Sequence, residues 1–382
     1  MRIVDVSGFY AAGGGGVRRY VEAKLAYAHA NGDEVIVVAP GADDRLEGRR
    51  GGAVRWVAAP RFPLDRRYRM LVNAGPIHRL LDELRPDIVE ASSPWRTAAI
   101  VAEWGGDAPK HWIMHADPLA AYPYRWFDRL VSHRTIDAGF GWYWRYMRRM
   151  APAYASIVCP NGWLASRLLK GGMPQACAIP FGVEPGVFSP RLRDEGLRRR
   201  LLAACGRSPD GLLLLGVGRH SPEKNWPLAI EAARVAGAWR EVALVLVGDG
   251  RDTSAVLQAA AGNPHVRLLA PTSDRAALAG LMASSDALIH ACAAETFCFV
   301  AAEAAASGIP VLAPDVGGAR YAAGDAARLY RSGDAASAAG AIIRLEGARP
   351  RASSPSFGRR RSMTDHFVEL FDRYRASLGR AA

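Results

Sequence analysis

The 382-residue chain is half hydrophobic and 23% charged, enough apolar material for two globular domains, which excludes a disordered or fibrous polypeptide. Its formal net charge of +12 invites a polyanion, but only four of the 49 basic residues are lysine (Lys24, Lys110, Lys170, Lys224) and no long basic run exists, so nucleic acid is not the expected partner. Anionic small substrates and an anionic membrane surface stay compatible with it.

Five scattered cysteines, with no C-x-x-C pair, predict reduced thiols and a cytoplasmic location, without a disulfide frame or zinc site. Met1-Arg2-Ile3-Val4 runs directly into a strand, so no secretory signal is expected, and no run of about 18 apolar residues predicts a membrane span.

Arg2–Val6 reads as a first strand, and Gly13 to Tyr20 opens a helix extending to about Ala30. Glycines such as Gly15 and Gly16 before a helix N-terminus let backbone approach a diphosphate, although the spacing is not G-x-G-x-x-G. The second strand, Glu34–Ala39, ends at Pro40 without an acidic residue for a nicotinamide ribose, which argues against a dehydrogenase. Residues 41–70 are polar and turn-rich, a surface loop with one short strand at Val54–Ala58. A helix over Ile77–Leu84 leads to a strand at Pro86–Ala91, and the strand His111–Met114 carries His115 and Asp117 at its carboxyl end, where open α/β sheets bind ligands. Between Pro123 and Met150 arginines alternate with aromatics. Phe140, Tyr143, Met147 and Met150 share one helical side, which suits a helix packed on the sheet and also an interfacial membrane helix; the packed helix is the preferred reading. Ala155–Pro160 is a strand, Gly162–Lys170 a helix, and Cys177–Glu184 closes the first domain.

The alternation then restarts. Leu212–Arg219 is a strand, the loop His220–Asn225 follows, and a helix runs from Trp226 to Ala236. Arg219 and Lys224 flank that loop, where two cations would converge on a diphosphate. Further strands are expected at Val242–Val247 and Val266–Leu269, with a helix at Leu278–Ser284. The central stretch runs from Ala294 to Pro310, between apolar strands at Ala287–His290 and Ile309–Ala313. Phe299–Ser307 is Ala-rich and helix-forming, stopped by Gly308 and Pro310. Its N-terminus near Phe297, Cys298 and Phe299 offers unpaired amides and a positive dipole end to an anion. Glu295 stands in the preceding loop, and Glu303 lies about one turn into an otherwise apolar helix, where a carboxylate needs a polar partner. Gly317-Gly318 marks a tight turn, Arg349–Arg361 a linker, and Met363–Leu378 an amphipathic helix.

Glu-x7-Glu, ending in Glu-Ala-x-Ala-x-Gly-x-Pro-Val, resembles the signature of glycosyltransferase family 4, retaining enzymes of the GT-B fold. Gly15-Gly16-Val17-Arg18-Arg19 is similar to that family's Gly-Gly-Val-x-Arg, Arg219-x4-Lys224 to its arginine and lysine, and Ile179–Glu184 to its Ile-Pro-x-Gly-Val-Asp hinge. Cys298 departs from the pattern, which more often has glycine, and Tyr321 stands where a glutamate is usual. The resemblance implies an α/β chain of two Rossmann-like domains facing a cleft: residues 1–185 for the acceptor, 186–357 for the nucleotide-sugar, and a helix in 358–382 crossing back to the first. It implies transfer from a UDP- or GDP-sugar to a glycan or lipid acceptor, with no cofactor or metal. Arg219, Lys224 and helix N-termini would stabilise the leaving diphosphate, Glu303 would hold the ribose, Glu295 a sugar hydroxyl, and His115 would touch the reacting sugar. A peripheral contact at the inner face of a membrane fits Tyr122–Met150. The rival readings are an epimerase or phosphorylase of the same architecture, and a basic nucleic-acid-binding protein.

Overall fold

A computed structural model describes residues 1–10, 15–63, 69–120, 123, 133–345 and 360–381. The chain divides into two compact units, Met1–Phe181 with Met363–Ala382, and Gly182–Ser362. In the first unit the elements run β1 (Arg2–Val6), α1 (Gly16–Ala30), β2 (Glu34–Gly41), β3 (Arg45–Arg49), β4 (Gly52–Ala58), α2 (Ala74–Leu84), β5 (Ile88–Ala91) and α3 (Arg96–Glu103). They continue with β6 (Lys110–Ile113), α4 (His133–Gly139), α5 (Gly141–Met150), β7 (Ser156–Cys159), α6 (Gly162–Lys170) and β8 (Ala176–Ala178). The strands form one sheet in the order β3-β4-β2-β1-β5-β6-β7-β8, parallel apart from the β3–β4 pair. Apolar runs such as Ile3-Val4 and Val35–Val38 are buried on both faces, as parallel strands under helices must be.

Two features of this unit differ from the expectation. The loop over 41–70 contains an extra strand, β3, hairpinned onto β4 through Arg50-Gly51. Its sequence, RLEGR, is exposed and nearly all polar, so no apolar alternation announces it. Gly52 is fixed by packing: a Cβ there would lie 1.8 Å from the Val35 carbonyl oxygen. Pro40 also lies inside β2, in register with Val57, instead of ending the strand. In the 123–150 segment Tyr143, Met147 and Met150 are buried, as the packed-helix reading requires. The aromatic and basic residues Tyr124–Arg129 fall outside the described residues, as do Gly13, Gly14 and most of the 349–361 linker.

A fully buried ion cluster sits beneath α1. Asp5 on β1 and Glu90 on β5 are register neighbours, and Lys24 of α1 donates to Asp5 at 2.5 Å and to Glu90 at 2.7 Å. Burial pushes the Glu90 carboxyl up to about 7 against the pull of Lys24. The final helix, α14 (Met363–Ala381), belongs to this unit and covers the cluster. Its Tyr374 packs on the His111 ring at 4.7 Å, His366 lies 3.1 Å from the Tyr20 hydroxyl, and Phe367 and Phe371 pack on Tyr27.

The second unit holds α7 (Glu195–Ala204), β9 (Leu212–Val217), α8 (Trp226–Ala236), β10 (Val242–Val247), α9 (Thr253–Ala260), β11 (Val266–Leu269) and α10 (Arg275–Ser284). It ends with β12 (Ala287–Ile289), α11 (Phe299–Ala306), β13 (Val311–Pro314), α12 (Ala319–Ala323), β14 (Ala327–Tyr330) and α13 (Ala335–Ile343). All its described strands are parallel, in the order β11-β10-β9-β12-β13-β14. From β9 the chain winds outward through β10 and β11, then returns to β12 on the other side of β9. The strand order therefore reverses between β9 and β12, and ligands of such sheets bind at the carboxyl ends of the strands there. The loops after these two strands carry Lys224 and Glu295.

Candidate active site

The switch point brings together side chains 71 residues apart. Pro222–Lys224 form one 3-10 turn after β9, and Asn225, at φ 50°, reverses the backbone into α8. That turn aims Lys224 at the loop after β12, where its Nζ donates to Glu295 Oε1. Burial alone would raise the Glu295 carboxyl; the charge and hydrogen bond of Lys224 override it and hold the group at about 2. Burial likewise opposes the ammonium of Lys224, and Glu295 more than compensates, raising its pKa. Both groups are thus ionised at pH 7. His290, at the end of β12, has its Nε2 3.8 Å from the same carboxylate oxygen and is neutral, held at about 4 by burial and by the Lys224 charge. Arg219 lies half exposed at the rim, 3.9 Å from Glu223.

The N-terminus of α11 is built under strain. Cys298 is its N-cap residue at φ 76°, a left-handed conformation that glycine adopts freely and other residues at a cost on the order of 1–3 kcal/mol. Its Sγ lies 3.6 Å from His290 Nε2. Phe297 and Phe299 flank it, their rings edge to face at 5.1 Å. The Gly317-Gly318 turn clamps the loop from the other side. Gly318 N donates to the Glu295 carbonyl at 2.6 Å, and a Cβ on Gly318 would lie 2.3 Å from the Thr296 carbonyl oxygen. Tyr321, in place of the expected glutamate, is exposed on α12 with Arg320 over its ring at 5.2 Å.

Glu303 is buried on α11, 2% exposed, and its partner is Arg275 at the start of α10: Nη2 donates to Glu303 Oε1 at 2.7 Å. The same guanidinium reaches Glu184 at 3.3 Å and lies over the Phe188 ring at 4.7 Å. Sequence reading asked for a polar partner of Glu303 without identifying Arg275, because no motif links positions 28 residues apart. His290 escaped notice for the same reason, being the last residue of an apolar run.

In the first unit, Gly15 is the N-cap residue of α1, and α1 begins at Gly16. Among the described residues a Cβ on Gly15 would meet no atom within 4 Å. Tyr20, one turn further on, stacks edge-on against His115 at 4.6 Å, which links the glycine turn to the loop after β6. Phe181 lies 5.5 Å from the imidazole and 4.9 Å from Tyr20, so the three rings form one cluster. Burial holds His115 at about 4, so it is neutral at pH 7, and among the described residues its Nε2 has no hydrogen-bond partner. Asp117, by contrast, is engaged by Arg167 and by the amides of Leu119 and Ala120.

Two Rossmann-like units, with a glycine turn after β1 and a cation-bearing loop after β9, define the class of GT-B glycosyltransferases. A sucrose-phosphate synthase from Thermosynechococcus elongatus has this fold, with a TM-score of 0.77 over 99% of both chains at 16% identity. The chain belongs to glycosyltransferase family 4: residues 14–187 match the model Glycosyltransferase Family 4, and residues 211–347 match Glycosyl transferases group 1. Its reaction is glycosyl transfer. A GDP-mannose-dependent alpha-(1-6)-phosphatidylinositol dimannoside mannosyltransferase of Mycobacterium tuberculosis is 30% identical over 315 residues, 82% of this chain and 79% of its own. A GDP-mannose-dependent alpha-mannosyltransferase of the same species is 32% identical over 326 residues, 80% of this chain and 76% of its own.

Proposed function

We propose that this glycosyltransferase is a retaining, metal-independent mannosyltransferase that moves mannose from GDP-mannose to a glycolipid or glycan acceptor. The observation that carries the reading is the ionised Lys224–Glu295 pair at the switch point of the second unit, beside the N-terminus of α11. As the bond from the sugar to the diphosphate breaks, negative charge grows on the leaving group. Lys224, Arg219 and the amides at Phe297–Phe299 supply positive potential where that charge develops, the service a metal ion gives elsewhere. Glu295 accepts a hydrogen bond from a sugar hydroxyl, and Glu303, held by Arg275, accepts from the ribose. In the first unit, Gly15 and Gly16 let backbone approach the donor phosphates, and neutral His115 offers a hydrogen bond, not a charge, to the transferred sugar. Donor choice and acceptor class follow the relatives, whose names specify GDP-mannose and, in one case, a phosphatidylinositol mannoside.

A thermal-shift panel of GDP-, UDP- and ADP-sugars tests the donor, because a ligand bound only by the folded state raises its apparent stability. GDP-mannose should give the largest shift, and an equal or larger shift with UDP-glucose would contradict the assignment. Transfer should survive a chelator; dependence on added magnesium would contradict metal independence.

The reading also places the enzyme at the cytoplasmic face of a membrane. No helix among the described residues is long and apolar enough to cross one. Helix α5 instead buries Tyr143, Met147 and Met150 and exposes Trp142, Arg145, Arg148 and Arg149, a composition suited to an anionic interface. Co-sedimentation with anionic but not neutral vesicles is expected, and equal pelleting with both would remove the idea.

A further inference from the structure

The loop between β12 and α11 holds more donor atoms than glycosyl transfer uses. His290, Cys292 and Glu295 place one ligand atom each within 4.8 Å of one another. Cys298 neighbours this group, its Sγ beside the His290 imidazole at 3.6 Å from Nε2 and 3.8 Å from Nδ1. His290, Cys292 and Cys298 are buried, at 1%, 2% and 6% exposure, while Glu295 is partly open and gives an ion its way in. Independently, Cys298 keeps its thiol at a left-handed φ of 76° where glycine would be free of strain. A strained backbone maintained at a functional loop calls for a role of the side chain itself.

We propose that His290 Nε2, the thiolates of Cys292 and Cys298, and the Glu295 carboxylate form a binding site for a soft divalent cation of the zinc class, which competes with Lys224 for Glu295. Thiolates and imidazole select such an ion over magnesium or calcium. On binding, each ligating thiol releases its proton to solvent and the metal takes the carboxylate that Lys224 holds in its absence. The ion is therefore an inhibitor, and that consequence rests on the role proposed for Glu295; the binding itself does not. The spacing His290-x-Cys292-x2-Glu295-x2-Cys298 contains no C-x-x-C pair, so the cysteine count of the sequence passes over it.

The test titrates Zn2+ into the chelator-stripped, reduced full chain by calorimetry, with Cd2+ as a second probe read by its thiolate charge-transfer absorption, all without nucleotide-sugar. One ion per chain and a charge-transfer band are expected. Cys292→Ser should weaken binding about tenfold or more, whereas Cys177→Ser, in the first unit, should leave it unchanged. Lys224→Met should tighten binding, since it removes the competing cation. No charge-transfer band, or equal affinity in wild type and a folded Cys292→Ser, would overturn the site. Unchanged or weaker binding in Lys224→Met would overturn the competition.

Discussion

Glu303 needs Arg275 before any donor arrives. A carboxylate 2% exposed among alanines is tolerated because one guanidinium donates to it at 2.7 Å. Arg275→Leu should therefore lower stability by about 1.5–3 kcal/mol and weaken nucleotide binding, measured by thermal melting and by GDP titration. A variant as stable as wild type would show that Glu303 is compensated otherwise. The two glutamates themselves were legible in the sequence, because Glu-x7-Glu spans a loop and one helical turn. Their partners Lys224 and Arg275 were legible only in part. Lys224 stood out through its loop and its rarity, but its pairing with Glu295 follows from strand order, which no local pattern encodes. Arg275 is one arginine in a chain that uses arginine for almost every cation.

Among the elements, the loop before α11 is held by the Gly317-Gly318 turn. Gly317 has φ 82°, and Gly318 packs backbone to backbone on Thr296 and Phe297. Gly318→Ala should displace the loop that presents Glu295. A shift of about 1 Å at reacting groups can cost on the order of a hundredfold in rate, so kcat should fall steeply while the melting temperature changes less. Normal turnover in a folded Gly318→Ala would refute the clamp. The long apolar strands and the capped helix Gly162–Lys170 were readable from periodicity and stop signals. β3 was not, because its pairing depends on the neighbouring edge and not on its own RLEGR pattern. Helices α3, α7, α9 and α13 are 8–10 residues long and went unannounced for want of a long periodic run.

Across the whole molecule, buried titrating groups set opposing pH trends. His111, His115 and His290 are held by burial at about 3, 4 and 4, below the ordinary 6.5. Their contribution is complete above pH 6.5 and is lost as the pH falls towards those values. Glu90, facing Lys24 of α1, Asp5 of β1 and Tyr374 of α14, moves the other way, from 4.5 to about 7. Its contribution is complete below 4.5 and is lost as the pH rises through 7. Between pH 5 and 8, melting of Glu90→Gln relative to wild type should shift in the variant's favour by on the order of 2–3 kcal/mol. A difference constant over that range would contradict the shift.

The central claim is a division of labour between two carboxylates, Glu303 for the ribose and Glu295 for the sugar. It is tested most directly by calorimetric titration of GDP into wild type, Glu303→Ala and Glu295→Ala, beside steady-state kinetics with GDP-mannose. Glu303→Ala should weaken GDP by about tenfold to a hundredfold, the loss of a charged hydrogen-bond acceptor. Glu295→Ala should leave GDP affinity nearly intact while kcat falls, because only the sugar loses its orientation. Equal loss of GDP affinity in both variants would contradict the account.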